Sequence, residues 1–94
     1  MHANIITYPL ASEYLERATA GIQGGTRETA NIPGFRHGHF IYDREHSLMT
    51  IVMLFDTAEQ SAAAWAHAEP EVTANVNAMG GTLTVRLGEV VHNI

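Results

Sequence analysis

The chain has 94 residues in which ten acidic side chains face five arginines and no lysine, a formal charge of -5. That balance argues against non-specific nucleic-acid binding and against docking on an anionic membrane, and the missing lysines exclude a lysine Schiff base. With 46% hydrophobic residues, 16% charged residues and no cysteine, the composition describes one globular domain over residues 1–94, without disulfides, thiolate nucleophiles or thiolate metal sites.

Asn4 to Tyr8 reads as a first strand, rich in β-branched and aromatic residues. Pro9 ends it, and Ser12 caps a helix that opens at Glu13 and runs to about Ala30. Leu15, Ala18, Ile22 and Thr26 form its apolar stripe. Gly21, Gly24 and Gly25 each cost that helix about 1 kcal/mol relative to alanine, and they either let it approach the sheet closely or mark a kink. Pro33-Gly34 signals a turn. Phe35 to Tyr42 forms the second strand, with Phe35, His37, His39 and Ile41 on one parity and Arg36, Gly38, Phe40 and Tyr42 on the other.

The short polar run Asp43–Ser47 predicts a hairpin. Leu48 to Phe55 is apolar on both parities apart from Thr50, which places it in the middle of a sheet. Asp56 is expected to cap the next helix, with Glu59 three residues on as in a capping box. Ala58, Ala62, Trp65 and Ala66 share its stripe, Pro70 breaks or restarts it, and Gly80-Gly81 stops it. Thr82 to about Val91 is the last strand, alternating Leu83, Val85 and Leu87 with Thr82, Thr84 and Arg86.

This βαββαβ order predicts an α+β fold of ferredoxin-like split βαβ topology, with helices on one face of an antiparallel sheet. The third strand carries a second apolar set, so the uncovered face needs a partner or a ligand. A second copy across a two-fold axis is the simplest cover, and a homodimer is expected. Met1-His2-Ala3-Asn4 lacks a positive leader, and no segment approaches the roughly 20 apolar residues of a membrane helix. The expectation is a cytoplasmic protein with no membrane and no nucleic-acid partner.

Few residues announce chemistry. His37 and His39 are two apart on one strand, but zinc needs three or four protein ligands, and neither His2, His46, His67 nor His92 completes a known spacing; no metal site is assigned. Gly21-Ile22-Gln23-Gly24-Gly25 follows a helix and lacks the lysine of a phosphate loop. Ser12, Ser47 and Ser61 lie in no nucleophile elbow. Trp65, among small neighbours, fits a core position, a cavity wall or a ligand-packing role. Arg36 and Arg86, if enclosed, must be paired or meet an anion.

Pro33-Gly34-Phe35 with Gly38 after it, the two hairpin strands, Phe55-Asp56-Thr57-Ala58-Glu59 and Trp65 together resemble the antibiotic biosynthesis monooxygenase superfamily. The resemblance spans Asn4 to Val91, with Phe55, Asp56 and Thr57 standing where that family usually has Trp-Glu-Ser. It implies a dimeric α+β barrel around a small apolar or aromatic molecule. One implied activity is cofactor-independent oxygenation of an aromatic or quinol-type metabolite. His37 or His39 would then serve as general base, Trp65 would pack the substrate, and Asn4 or Arg86 would stabilise developing negative charge. Tyr42 is a further candidate by sidedness. A second implied activity is haem binding or degradation, for which Asn4 and Trp65 match the family's strand-one Asn and helix-two Trp. Position 75 is Asn where the iron-ligating His would stand, leaving His67 or His37 as substitutes. The third is a non-enzymatic binding or structural protein of the same fold.

Overall fold

Strand pairing organises the chain. In the computed structural model, which describes Met1–Ile94, the strands β1 (His2–Pro9), β2 (Phe35–Asp43), β3 (Leu48–Phe55) and β4 (Thr84–Glu89) form one antiparallel sheet. Their order is β2-β3-β1-β4. β3 therefore lies between two neighbours, as its doubly apolar pattern requires. A 3-10 turn (Ser12–Tyr14), α1 (Leu15–Gly24) and α2 (Thr26–Ala30) link β1 to β2, and α3 (Ala58–Ala78) links β3 to β4. The antiparallel ferredoxin-like sheet with interspersed helices is thus present.

The barrel implied by the family resemblance is not. β2 and β4 are free edges with two strands between them, so they stand about 14 Å apart at the usual strand spacing and nothing pairs them. Four strands of this twist make an open sheet.

The register defines two faces. Asn4, Ile6 and Tyr8 stand opposite Met53, Ile51 and Met49, with Val85 and Leu87 continuing the same side into β4. Ile6, Met49 and Ile51 are buried there with Leu10, and Leu15, Ala18 and Trp65 from the helices pack against them. The other face carries Ala3, Ile5 and Thr7 beside Thr50, Val52 and Leu54, with Thr84 and Arg86 at its β4 edge. Ile5, Val52 and Leu54 are only half-buried.

One extra residue corrects the expected parity of β2. Phe35 pairs with Phe55 but His37 pairs with Leu54, so Arg36 is a bulge. Phe35 consequently joins Gly38, Phe40 and Tyr42 on the helix side, while His37, His39 and Ile41 turn to the open side. Phe35 meets Phe55 edge to face at 5.8 Å between centroids, a favoured aromatic geometry.

The helices also depart from expectation. The single helix read over Ser12–Ala30 divides at Gly24-Gly25, where small residues with poor helix propensity interrupt the ladder. The cap of α3 is Thr57, one residue later than Asp56. Thr57 Oγ1 accepts from the Gln60 backbone at 3.1 Å, and Gln60 Oε1 accepts from the Thr57 backbone at 3.2 Å, which closes the capping box. Asp56 instead accepts from Arg36 Nε at 2.5 Å. The Pro33-Gly34 turn docks on this junction: Gly34 has φ +79°, its carbonyl accepts from the Asp56 backbone at 2.9 Å, and a Cβ there would overlap Gln60. Gly34 is a position only glycine fills easily.

α3 runs through Pro70 without ending. An interior proline costs a helix about 3 kcal/mol, and the continued turn is what seats Val76, 2% exposed. The buried stripe of α3 is set by Ser61 and Val76, whereas Ala62 and Ala66 are exposed. Ser61 Oγ donates to Asn4 Oδ1, and both side chains are almost fully buried. This polar pair fastens α3 to the centre of the sheet. Ser61→Ala strands the Asn4 amide and is expected to lower unfolding free energy by about 1–3 kcal/mol in urea titrations. Asn4→Leu combined with Ser61→Ala is expected to lose less than Ser61→Ala alone, since neither partner is then left unpaired.

Candidate functional site

The helix-covered side is unevenly filled. α3 buries Ser61 and Val76 against the sheet, but none of the ten residues of α1 and none of the five of α2 is buried. Between these two helices and the β2–β3 half of the sheet lies a cavity of about 330 Å³. Ile22, Thr26, Thr29 and Ala30 form its helical wall, and Phe35, Gly38, Phe40 and Met53 form its sheet wall. Arg36 and His37 border it at the start of β2. Gly38 keeps the floor low: a Cβ there would sit 3.2 Å from the Phe35 ring.

The cavity is poor in hydrogen-bond donors. Thr26 Oγ1 donates to the Ile22 carbonyl at 3.1 Å and Thr29 Oγ1 donates to the Gly25 carbonyl at 3.0 Å. Their protons are spent on the helix itself, so each presents lone pairs and a methyl group. Arg36 is anchored by Asp56, whose hydrogen bond and charge raise the guanidinium pKa still further. A wider, more open depression of about 530 Å³ runs along one flank of α1 from Ser12 to Gln23. Its lining comes from one helix and its approach, with no wall opposite to hold a ligand.

The five residues nominated from the sequence divide between the two sides. Asn4 and Trp65 lie on the helix-covered side, Asn4 in the core with Ser61 and Trp65 against the Ile6–Leu10–Met49–Ile51 cluster. Neither lines the cavity. His39 and Arg86 lie on the open face in one row, His39–Val52–Ile5–Arg86, read from successive register partners. His37 sits on the same open side but at the exposed edge, where it also borders the cavity. Tyr42 is tied off: its hydroxyl donates to the Leu10 carbonyl at 2.6 Å, and Arg44 stacks 5.8 Å above its ring.

Three features of the structure lay beyond the sequence reading: the Asn4–Ser61 pair, the burial of Tyr8 and the direction of Arg36. Ser61 gave no signal because its partner is 57 residues away. Tyr8 faces the helix side beside the core, and burial pushes its phenol pKa up, keeping it a neutral donor. Arg36 was aimed by a bulge that no alternation rule reveals. No group of three or more His, Cys, Asp or Glu converges anywhere in the structure, so the His37–His39 pair has no further ligand to complete a metal centre.

No known protein-family profile matches the chain, and no curated protein matches it. Solved structures do match. A candidate antibiotic biosynthesis monooxygenase of Deinococcus radiodurans aligns with TM-score 0.74 at 14% identity, covering 100% of this chain and 96% of that one. The haem degrader MhuD of Mycobacterium tuberculosis, solved with two haems in its active site, aligns with TM-score 0.73 at 16% identity, over 100% and 99%. The monooxygenase from ActVA-Orf6 of Streptomyces coelicolor, solved with Nanaomycin D, aligns with TM-score 0.75 at 12% identity, over 99% and 89%. At these identities the likeness is one of fold. The resemblance read from the sequence is accordingly corrected: the chain shares the fold of these monooxygenases, and the closed barrel and family membership it implied do not follow.

Filling the floor of the cavity tests whether it holds ligands. The neutral dye prodan is expected to gain fluorescence with the parent protein and not with Gly38→Val, which places a branched side chain against Phe35. Far-ultraviolet circular dichroism is expected to remain that of the parent.

Proposed function

We propose that the chain is a small monooxygenase that takes a flat aromatic or quinol-type molecule into the cavity beside α1–α2 and oxygenates it without a metal or flavin of its own. The observation that carries this reading is the cavity: its volume falls within the roughly 300–1,000 Å³ of small-molecule sites, and Phe35, Phe40, Met53 and Ile22 give it flat, apolar walls. The fold likeness to a monooxygenase that binds Nanaomycin D supports the substrate class.

With so few polar groups available, the substrate supplies the electrons. His37 removes a phenolic or enolic proton at the mouth of the cavity. The resulting anion reduces dioxygen; one oxygen atom enters the ring and the other leaves as water. The apolar walls hold the ring flat. Phe40 and Met53 do the packing that was expected of Trp65.

Haem fits these residues poorly. Asn75 and His67 are both exposed on α3 and Asn4 is closed off by Ser61, which leaves His37, at the exposed edge of the cavity, without the family's other haem-site residues beside it. The fold likeness to MhuD therefore carries no haem step here.

The same reading includes a sheet-to-sheet homodimer. Only nine of the 94 residues are buried, so this small chain gains from oligomerisation, while Ile5, Val52 and Leu54 and the exposed Ile41 share the uncovered face. A second copy against that face supplies the missing burial.

Two measurements test these statements. With 1,8-dihydroxy-9-anthrone and isotopically labelled dioxygen, the product is expected to carry one labelled oxygen, and His37→Ala is expected to slow turnover by about 10²–10⁴-fold. Binding without turnover above the buffer rate would instead assign the chain to the non-enzymatic class. In analytical ultracentrifugation the parent is expected to sediment as a dimer and Val52→Glu as a monomer; a monomeric parent removes the dimer.

A further inference from the structure

We infer that the cavity selects aromatic molecules bearing an ionised acid group, with Arg36 as the residue that recognises the acid. This deepens the proposed function and rests on it, since it names the substrate class of the same cavity.

The argument begins with what the walls can offer. The apolar body of the cavity has no free donor, because Thr26 and Thr29 donate back to their own helix. No Asp or Glu lines it. Its cationic or donor side chains are Arg36 and His37, adjacent in sequence and both at the start of β2. A ligand that satisfies such a site is apolar along its length and accepts hydrogen bonds at one end.

Arg36 is built for that end. It is the extra residue of the β-bulge, and bulges near sites re-aim a side chain out of the regular alternation. Asp56 engages only its Nε, at 2.5 Å. The two Nη groups have no protein partner, and they present a planar fork suited to two carboxylate oxygens. The contact with Asp56 holds the stem, and the backbone of Asp56 is itself fixed through the Gly34 carbonyl. Arg36 is 60% exposed, so the pair with Asp56 adds little stability and its placement calls for another reason.

The charge of the whole chain strengthens the case. A molecule of charge -5 repels anionic ligands at long range. An acid can settle only where a local cation outweighs that field, and the cavity mouth offers one.

The experiment compares 2-naphthoic acid with its methyl ester by isothermal titration at neutral pH, since the two differ in charge and little in shape. The acid is expected to bind about tenfold more tightly at about 50 mM NaCl, and that preference is expected to shrink at about 500 mM as screening takes hold. In Arg36→Gln the ratio of the two affinities is expected to fall to about one, with Arg36→Lys restoring part of it. Arg86→Gln, on the open face, is expected to keep the preference. Equal binding of acid and ester to the parent overturns the inference while leaving an aromatic-binding cavity in place. A preference that survives Arg36→Gln overturns it likewise. If neither compound binds, the proposed function falls together with it. Should Arg36→Gln fail to fold, the salt series on the parent decides, because an acid preference insensitive to salt is incompatible with recognition by an exposed guanidinium.

Discussion

The bulge at Arg36 is the constraint on which the arrangement of β2 depends. A regular strand would keep Phe35 and His37 on one face. The extra residue separates them, so that Phe35 can close on Phe55 under the helices while His37 and His39 face the other way. It also frees Arg36 from the ladder at the one place where Asp56 can reach it. The Pro33-Gly34 turn makes this possible by delivering the chain into β2 against the capping box of α3. Turn, bulge, cap and ion pair form one local unit, and each part fixes the next.

Around that unit the two helical halves play different roles. α3 is anchored through Ser61 to Asn4 and through Val76 beyond the proline, and its contacts close the core. α1 and α2 contribute no buried residue, and α1 meets the core through the half-buried Leu15 and Ala18. A sheet half covered by a sealed helix and half by a raised one leaves room for a guest. Elements with few buried contacts open at low free-energy cost, so the raised helices are also the natural entrance. The closer burial under α3 and the looser packing under α1–α2 both follow from where the large apolar side chains stand.

The pattern of strands was legible because it rests on alternation and on turn residues, which act over a few positions. β3 was read at its observed limits, Leu48 to Phe55, since an apolar run bounded by a polar hairpin and a capping signal leaves little choice. Helix details were harder. In an alanine-rich segment the stripe has low contrast, so Ala62 and Ala66 looked as eligible as Ser61, and only the distant Asn4 distinguishes them. Pro70 reads as a break or a restart on local propensity, yet α3 continues through it and buries Val76. The candidate site suffered most from the bulge. One unmarked insertion separates Phe35 from His37, His39 and Ile41, which keep the common parity read from the sequence. The barrel came from the family resemblance alone; closure depends on strand number and pairing at the edges, neither of which a loose motif contains.

Charge ties the two uncovered surfaces together. The carboxylates occupy helix surfaces, the hairpin and strand ends. Asp43, at the corner of β2, is already engaged by His46 at 2.7 Å, a contact that holds its carboxyl below the usual range. The central rows of the open face carry His37, His39 and Arg86 and no acid, and the cavity wall carries Arg36 and His37 and no acid. An acidic molecule has therefore kept its carboxylates off both surfaces that lack a cover. On the open face His39 borders Val52 and Arg86 borders Ile5. At the cavity mouth, a permanently charged guanidinium is half-satisfied by one carboxylate and open to another. A single inserted residue in β2 thus sets Arg36 and His37 together at the edge of the cavity, while His39 and Arg86 stay on the open face.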